Sequence, residues 1–486
     1  MWLSYNCGMR KRLWIAVLLG ILLALLILLG YWLGTPRLLS VSPADEATNV
    51  SPAAQVKLSF SRPLQTEAIT NRLSFEPAMP GNYSWQGSTL IFTPAQLWPA
   101  GVTVQARLQP GAPANGILAL ALPEGLEWSF TIRQPAIVYL YPATDPASLT
   151  MQSLISGATR SLVSITGGVL DFDISADGSL IYYSVRQEAG SQIYRLSLAD
   201  GLQAEATPGN GATDPAERKA ELVLDCSEAL CAALALSPKG DYLAYERGML
   251  PGSGQADNFQ VWVMPIGSGG QASPFLAGAA DHQTTQPAWS SAGWLAFYDS
   301  NEKAYLFTEL GVGERGRFAN QTGQGGVWHP DGHQFLAPEI IFVDTGNSPS
   351  VTGLEQRADS HLMLYNLVTN TTQDLTPGEG NEDTSPVFSP DGKFLAFARK
   401  FVDAKRWTPG RQLWIAGVDT REARPLTNEP LYNHYQFSWS LSGEQLAYVR
   451  FNQTSPTEPP EIWIMNLLDS TQSRLAVGGY SPRWTP

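Results

Sequence analysis

The chain has 486 residues, with 31 Lys and Arg against 44 Asp and Glu, for a formal net charge of −13. It holds 44 Gly and 35 Pro, only 15% charged residues and 10% aromatics within 44% hydrophobic content. That surplus of turn formers and large rings excludes a helical bundle and wholesale disorder. The first forty residues carry Arg10, Lys11, Arg12 and Arg37 and no acid, so the body beyond them is strongly acidic. Such a body lacks the basic stripe that neutralises phosphates, which argues against nucleic acid as a partner.

Residues 13–33 read LWIAVLLGILLALLILLGYWL, without a charge. At 1.5 Å per residue a helix of that length spans a hydrocarbon core of ~30 Å. Arg10, Lys11 and Arg12 precede it, and Trp14, Tyr31 and Trp32 lie near its ends. The expectation is a cytoplasmic N-terminus over 1–12, a single transmembrane signal anchor over 13–33, and an extracytoplasmic bulk at the cell membrane. A cleaved signal peptide is the alternative, but its apolar region is shorter and ends in an A-x-A-like site, which YWLGTPRLLS does not offer. Cys7 precedes the anchor. Cys226 and Cys231 lie beyond it, close enough to form a disulfide if their Cβ atoms face each other.

From 38 to 134, alternating apolar and polar residues are broken by Pro, Gly and Asn. VKLSFS (56–61), TLIFTP (89–94), VTVQARL (102–108) and LEWSFTI (126–132) read as strands with one buried face, the pattern of a β-sandwich. The opening SVSPADEATNV, the middle GNYSWQGSTLIFTPAQLWPAGVTVQARL and the closing LEWSFTI resemble the bacterial Ig-like domain of exported proteins. The resemblance implies a spacer or adhesion module without catalysis.

Beyond this domain one pattern recurs: a small strand, a turn near S-P-D-G, then L-A-F/Y. It appears at 173–183, 236–245, 289–297, 328–337, 388–397 and 439–448, with turns opened by Ser175, Ser237, Ser290, His329, Ser389 and Ser440. A third strand follows each hairpin, as in LWIAGV (413–418) and IWIMNL (462–467), and a fourth tends to end at Thr. Four strands per unit, repeated, predict a β-propeller over 137–486. The units resemble the TolB-type propeller repeat, xPxWSPDGxxLAF followed by xIWxMxL. YSPRWTP (480–486) supplies a first strand without the rest, and 137–166 supplies three strands without a first. Their complementarity predicts a seventh blade closed by the tail; six blades is the alternative, since TolB resembles a six-bladed ring. The fold expected is therefore all-β, with a seven-bladed propeller behind an Ig-like sandwich and a single transmembrane helix.

Enzyme signatures such as G-x-S-x-G, H-E-x-x-H and G-x-x-x-x-G-K-[ST] are absent. TolB-like propellers also precede hydrolase domains in prolyl-oligopeptidase-like enzymes, whereas here the chain is expected to stop at propeller closure. Polar residues before an innermost strand lie near one channel mouth. On that basis Asp281, His282, Glu382, Asp383, Asn433 and His434 are candidate ligand-binding residues, with local loop capping as the alternative use. No metal site, cofactor or catalytic group is expected. Asp171, Asp173 and Asp177 depart from calcium-loop spacing. The Trp series 262, 289, 328, 414, 439 and 463 reads as packing between blades. The function expected is non-enzymatic recognition or scaffolding at the cell envelope, with a protein, peptide or glycan as partner. The alternative is an extracellular glycan- or peptide-processing enzyme with its site at the channel mouth.

Overall fold

A computed structural model describes residues 14–15, 17–25, 31, 34–116, 119–198, 220–249, 258–266, 274–344, 356–419 and 422–486. Residues 1–12 and much of the 13–33 span lie outside these. Trp14, Ile15 and residues 17–25 are helical, and no helix among the described residues is long and apolar enough to cross a membrane. The chain divides into two units, Met1–Arg133 and Gln134–Pro486.

In the first unit, period-two alternation makes two four-stranded sheets. One runs Leu38–Ser42, Val56–Phe60, Thr89–Pro94, Gly81–Gln86; the other runs Ala47–Val50, Leu126–Ile132, Thr103–Leu108, Leu73–Glu76. Val56, Leu58 and Phe60 turn inward while Lys57 stays outside, which buries one face of the strand. At the centre Trp98 donates its indole N–H to the Ala54 carbonyl at 2.9 Å and meets Phe130 edge-on at 5.7 Å. That bond satisfies the one polar atom of a ring otherwise buried for its apolar area.

Among the described residues the second unit holds five four-stranded antiparallel sheets and one eight-stranded sheet, whose two four-stranded halves are numbered fifth and sixth in chain order. The first comprises Ala136–Tyr141, Ser148–Ser153 and Thr159–Val163, joined by Tyr480–Trp484. The innermost strands of the second to seventh sheets are Val169–Ile174, Ala229–Leu236, Thr284–Trp289, Val327–Trp328, Asn381–Phe388 and Tyr432–Trp439. The fifth and sixth sheets are continuous through one parallel pair, Ser360 with Glu382.

The recurring turn is built by its own side chains. The hydroxyls of Ser175, Ser237, Ser290, Ser389 and Ser440 accept the amides of Leu180, Tyr242, Trp294, Phe394 and Gln445 at 2.9 to 3.0 Å. The glycine three positions on has φ between 64° and 88° in all six turns, a backbone region a side chain would strain.

Consecutive sheets are tied by side chains of their inner strands. Trp289, Trp328, Trp439 and Trp484 donate their indole N–H to the carbonyls of Ala235, Ala288, Val387 and Ser438 on the preceding inner strand, at 2.9 to 3.2 Å. Between the second and third sheets, Asp171 and Asp173 accept the amides of Leu234 and Leu236 at 2.7 and 2.8 Å. The inner strands also bulge at Ala233, Gln286, Ser385, Gln436 and Ser481, all at φ of 50° to 59°. A bulge takes an amide out of the ladder, and a neighbour must satisfy it. Glu246 accepts that of Gln286 at 2.7 Å, and Gln436 that of Ser481 at 2.8 Å.

The strand Tyr480–Trp484 is held from three sides. It pairs with Ala136–Tyr141; Trp484 and Ser481 bond the seventh sheet; and Arg483 bonds Asp173 of the second sheet while lying 5.2 Å over Phe172. Deleting 480–486 therefore removes a buried aromatic and its ladder, and should cost several kcal/mol in thermal melting of the full chain. Trp484→Phe keeps an aromatic ring but loses the indole bond and part of the buried area, so it should cost less than the deletion, about 1–3 kcal/mol. An unchanged midpoint in both variants would contradict the tie.

Candidate functional site

Asp383 and His434 occupy equivalent register positions, facing Arg399 and Arg450 on the second strands of their sheets. Asp383 receives two bonds from Arg399 at 2.7 Å each, a bidentate pair almost sealed from solvent. The Arg399 guanidinium also lies 4.9 Å over the Trp414 ring. Glu382 pairs with Arg411, whose amide donates to the Asn433 side-chain oxygen at 3.1 Å.

His434 is fully buried. One ring nitrogen lies 2.8 Å from the Arg411 carbonyl and the other 3.1 Å from Glu429. Glu429 also binds Arg450, which lies over Trp463 and reaches Glu461 at 2.9 Å. The His434 hydrogen bond, then Arg450, hold the Glu429 carboxyl down to about 2. Four of the six candidates, Glu382, Asp383, Asn433 and His434, thus spend their hydrogen bonds holding strands of the sixth and seventh sheets together.

Asp281 and His282 are placed differently. They precede the strand Thr284–Trp289 in the connection from the third sheet. Register pairs Thr284, not His282, with the end of the second strand at Asp299. His282 therefore reaches sideways to Asp299, with Nδ1 2.7 Å from Oδ2. The other Asp299 oxygen accepts the amides of Asn301 and Glu302, both at 3.0 Å. The Asp299 hydrogen bond raises the imidazole above its ordinary 6.5. This is a base oriented by a buried, backbone-anchored carboxylate, and it lines a cavity of about 380 Å³ between the fourth sheet and the connection that leads into it.

Asp299 was not among the sequence candidates. Its signal is a break in the repeat, since LAFYD carries an acid where LAFAR and LAYVR carry Arg399 and Arg450. Two further polar features fell outside the sequence expectations. His361 is buried between Asp374 at 2.8 Å and the Gly378 carbonyl at 2.9 Å. Glu246, on the second strand of the third sheet, accepts the amide of the Gln286 bulge, and its carboxyl is raised chiefly by burial. Asp177 belongs to the turn, accepting the Ser175 hydroxyl at 2.7 Å. Among the described residues no group of three or more His, Cys, Asp or Glu is spaced to hold a metal ion. Cys226, on the outer strand of the second sheet, is joined by a disulfide to Cys231 on the inner strand of the third, with Cα atoms 6.2 Å apart.

Because the folded Glu429 carboxyl lies near 2 and the unperturbed value is 4.5, its contribution is complete above pH 4.5 and fades as pH falls through 2. Glu429→Gln should melt below the parent at neutral pH. The gap should close as the pH drops toward 2. A gap independent of pH would remove Glu429 from the ion-pair role.

Residues 34–132 match the family model of the bacterial Ig-like domain. No curated protein matches the chain in sequence. Solved structures similar to it include TolB from Acinetobacter baumannii, at 12% identity over 85% of this chain and 83% of that one, with a TM-score of 0.42. The β-propeller domain of the Trilobed protease from Pyrococcus furiosus is 11% identical over 63% and 82%, with a TM-score of 0.43. A puromycin hydrolase is 12% identical over 71% of this chain, which spans about half (52%) of the hydrolase, with a TM-score of 0.47. A bacterial Ig-like domain is thus followed by an all-β unit that has TolB and a β-propeller domain among its structural neighbours.

Proposed function

We propose that the chain is a membrane-anchored, extracytoplasmic recognition protein of the cell envelope. In this reading its seven sheets form a closed seven-bladed propeller carried on an Ig-like spacer. The observation that carries export is the Cys226–Cys231 disulfide, which suits an oxidising compartment. It lies in the body that follows the basic cluster Arg10–Arg12 and the uncharged span 13–33. Ring closure is supported by side-chain ties or strand pairing at successive junctions, the last of them from the seventh sheet back to the first.

The recognition role rests on how the rim is spent. Glu382, Asp383, Asn433 and His434 serve the scaffold, leaving surface and clefts for a protein, peptide or glycan. A second reading, an enzyme acting on such a ligand, is favoured by one observation: the oriented His282–Asp299 dyad beside a cavity.

Protease added to spheroplasts should digest residues 34–486 while a tag before Arg10 stays protected. A soluble mature protein beginning near Leu38 would overturn the anchor. In the exported protein, Cys226 and Cys231 should take up a thiol reagent only after reduction; full labelling without reductant would overturn the oxidised pair and, with it, the export argument.

A further inference from the structure

His361 sits on Gln356–Asn366, the third strand of the fifth sheet, where the fifth and sixth sheets become continuous. Successive residues of this strand hold the connection that runs from Asp374 into the sixth sheet. Asp359 accepts the Gly380 amide at 2.8 Å, and the Ser360 hydroxyl donates to the Asp383 carbonyl at 3.0 Å. The Leu362 amide donates to the Thr376 hydroxyl at 2.9 Å. His361 lies in the middle of this row and is 6% exposed. Its Nδ1 is 2.8 Å from Asp374 Oδ2 and its Nε2 is 2.9 Å from the Gly378 carbonyl. One ring therefore spans from the end of the fourth strand to the middle of the connection.

Both partners are acceptors. A neutral imidazole carries a single N–H, so either tautomer would turn one nitrogen lone pair onto an oxygen lone pair at hydrogen-bond distance. Only the cation donates from both nitrogens. The surrounding charges favour the same form. Asp359 on its own strand and Glu339, Asp374 and Asp383 on three others face the ring, with Arg357 and Arg399 beside them. Asp359 and Asp383 are each bonded twice, by Arg357 and Arg399. Glu339, opposite in register, accepts the Gln321 amide at 3.0 Å. Asp374 has no guanidinium or ammonium partner among the described residues, which leaves the imidazole as its counter-charge. The Asp374 hydrogen bond outweighs burial and lifts the ring above its ordinary 6.5. His434 also meets two acceptors, but its partner Glu429 keeps Arg450 as a second cation.

We propose that His361 is a proton-operated clasp between the fifth and sixth sheets: as the imidazolium it fastens the connection 375–380, and on losing its proton it releases it. The neutral ring forfeits one of its two bonds and strips Asp374 of its counter-charge. Because the folded value is raised, the tie is complete below pH 6.5 and fades as pH rises through that folded value. The connection leads into Glu382 and Asp383, so its release reshapes the rim under alkaline conditions. The clasp belongs to the fold and does not depend on the recognition reading.

The test uses the full chain with 15N in its histidine rings. At about pH 6 both His361 nitrogens should carry a proton, and raising the pH should remove one of them with a midpoint above 6.5. Amide hydrogen exchange read by mass spectrometry, corrected for the intrinsic effect of pH, should follow the same midpoint. Protection across 375–381 should fall about tenfold or more, the loss of a hydrogen bond to a charged group, while 432–439 in the seventh sheet keeps its own. Asp374→Asn should carry the ring midpoint and the exchange transition down together, by about one unit or more. His361→Gln, which does not titrate, should give 375–381 a protection that no longer changes over that range. A single N–H on His361 at about pH 6 would overturn the cation. Protection of 375–381 that ignores the ring midpoint in the parent chain would overturn the clasp. Both decisive readouts come from the parent, so a variant that fails to fold leaves the test intact.

Discussion

The second unit depends on one interaction above all: an indole N–H from the end of an inner strand, given to a carbonyl of the inner strand before it. Each sheet is too small to bury its own apolar faces and is stable only against its neighbours. Area burial alone is non-directional and lets sheets slide. A bond of about 1 kcal/mol adds little energy but fixes the angle at which one sheet meets the next. Trp289, Trp328, Trp439 and Trp484 repeat it. Where the repeat lacks a Trp, something else replaces it. Asp171 and Asp173 hold the third sheet, Arg483 holds the second to the first, and a direct strand pair joins the fifth to the sixth.

Local chemistry made much of this legible. The Ser-x-x-Gly turn is written in a few residues, and each copy closes with the same bonds. Strand positions followed from alternation, so the sandwich strands 56–61, 89–94, 102–108 and 126–132 lie within a residue of those observed. The partner of the C-terminal strand was legible because two incomplete fragments complemented each other. The Trp series carried its meaning only in part. Position marked it as inter-sheet packing, but the direction of the indole bond needs the neighbouring backbone.

The rim was less legible, and the reason is register. Six polar residues looked equivalent because all precede or open an inner strand. A one- or two-residue offset changes which second-strand residue each one meets. Asp383 and His434 fall opposite arginines and are absorbed by them, while His282 falls short of its strand and turns to Asp299. Sequence shows the residue types and their spacing. It does not show that LAFYD reverses the charge at the position where its sister repeats keep an arginine, until those repeats are superposed strand by strand.

The first sheet has a consequence for timing. Ala136 and Thr485 bond each other from 349 positions apart, so three strands made early wait for the fourth until nearly the whole unit has been delivered. Until then the Ala136–Tyr141 strand has an unpaired edge and a bare apolar face, the arrangement most open to the wrong neighbour. A body that crosses a membrane from its anchored end onward would expose that edge on the far side throughout its passage. The fifth and sixth sheets, by contrast, are contiguous and can pair as they emerge. Delivery from one end therefore orders assembly, with the interior sheets first and the first sheet completed last.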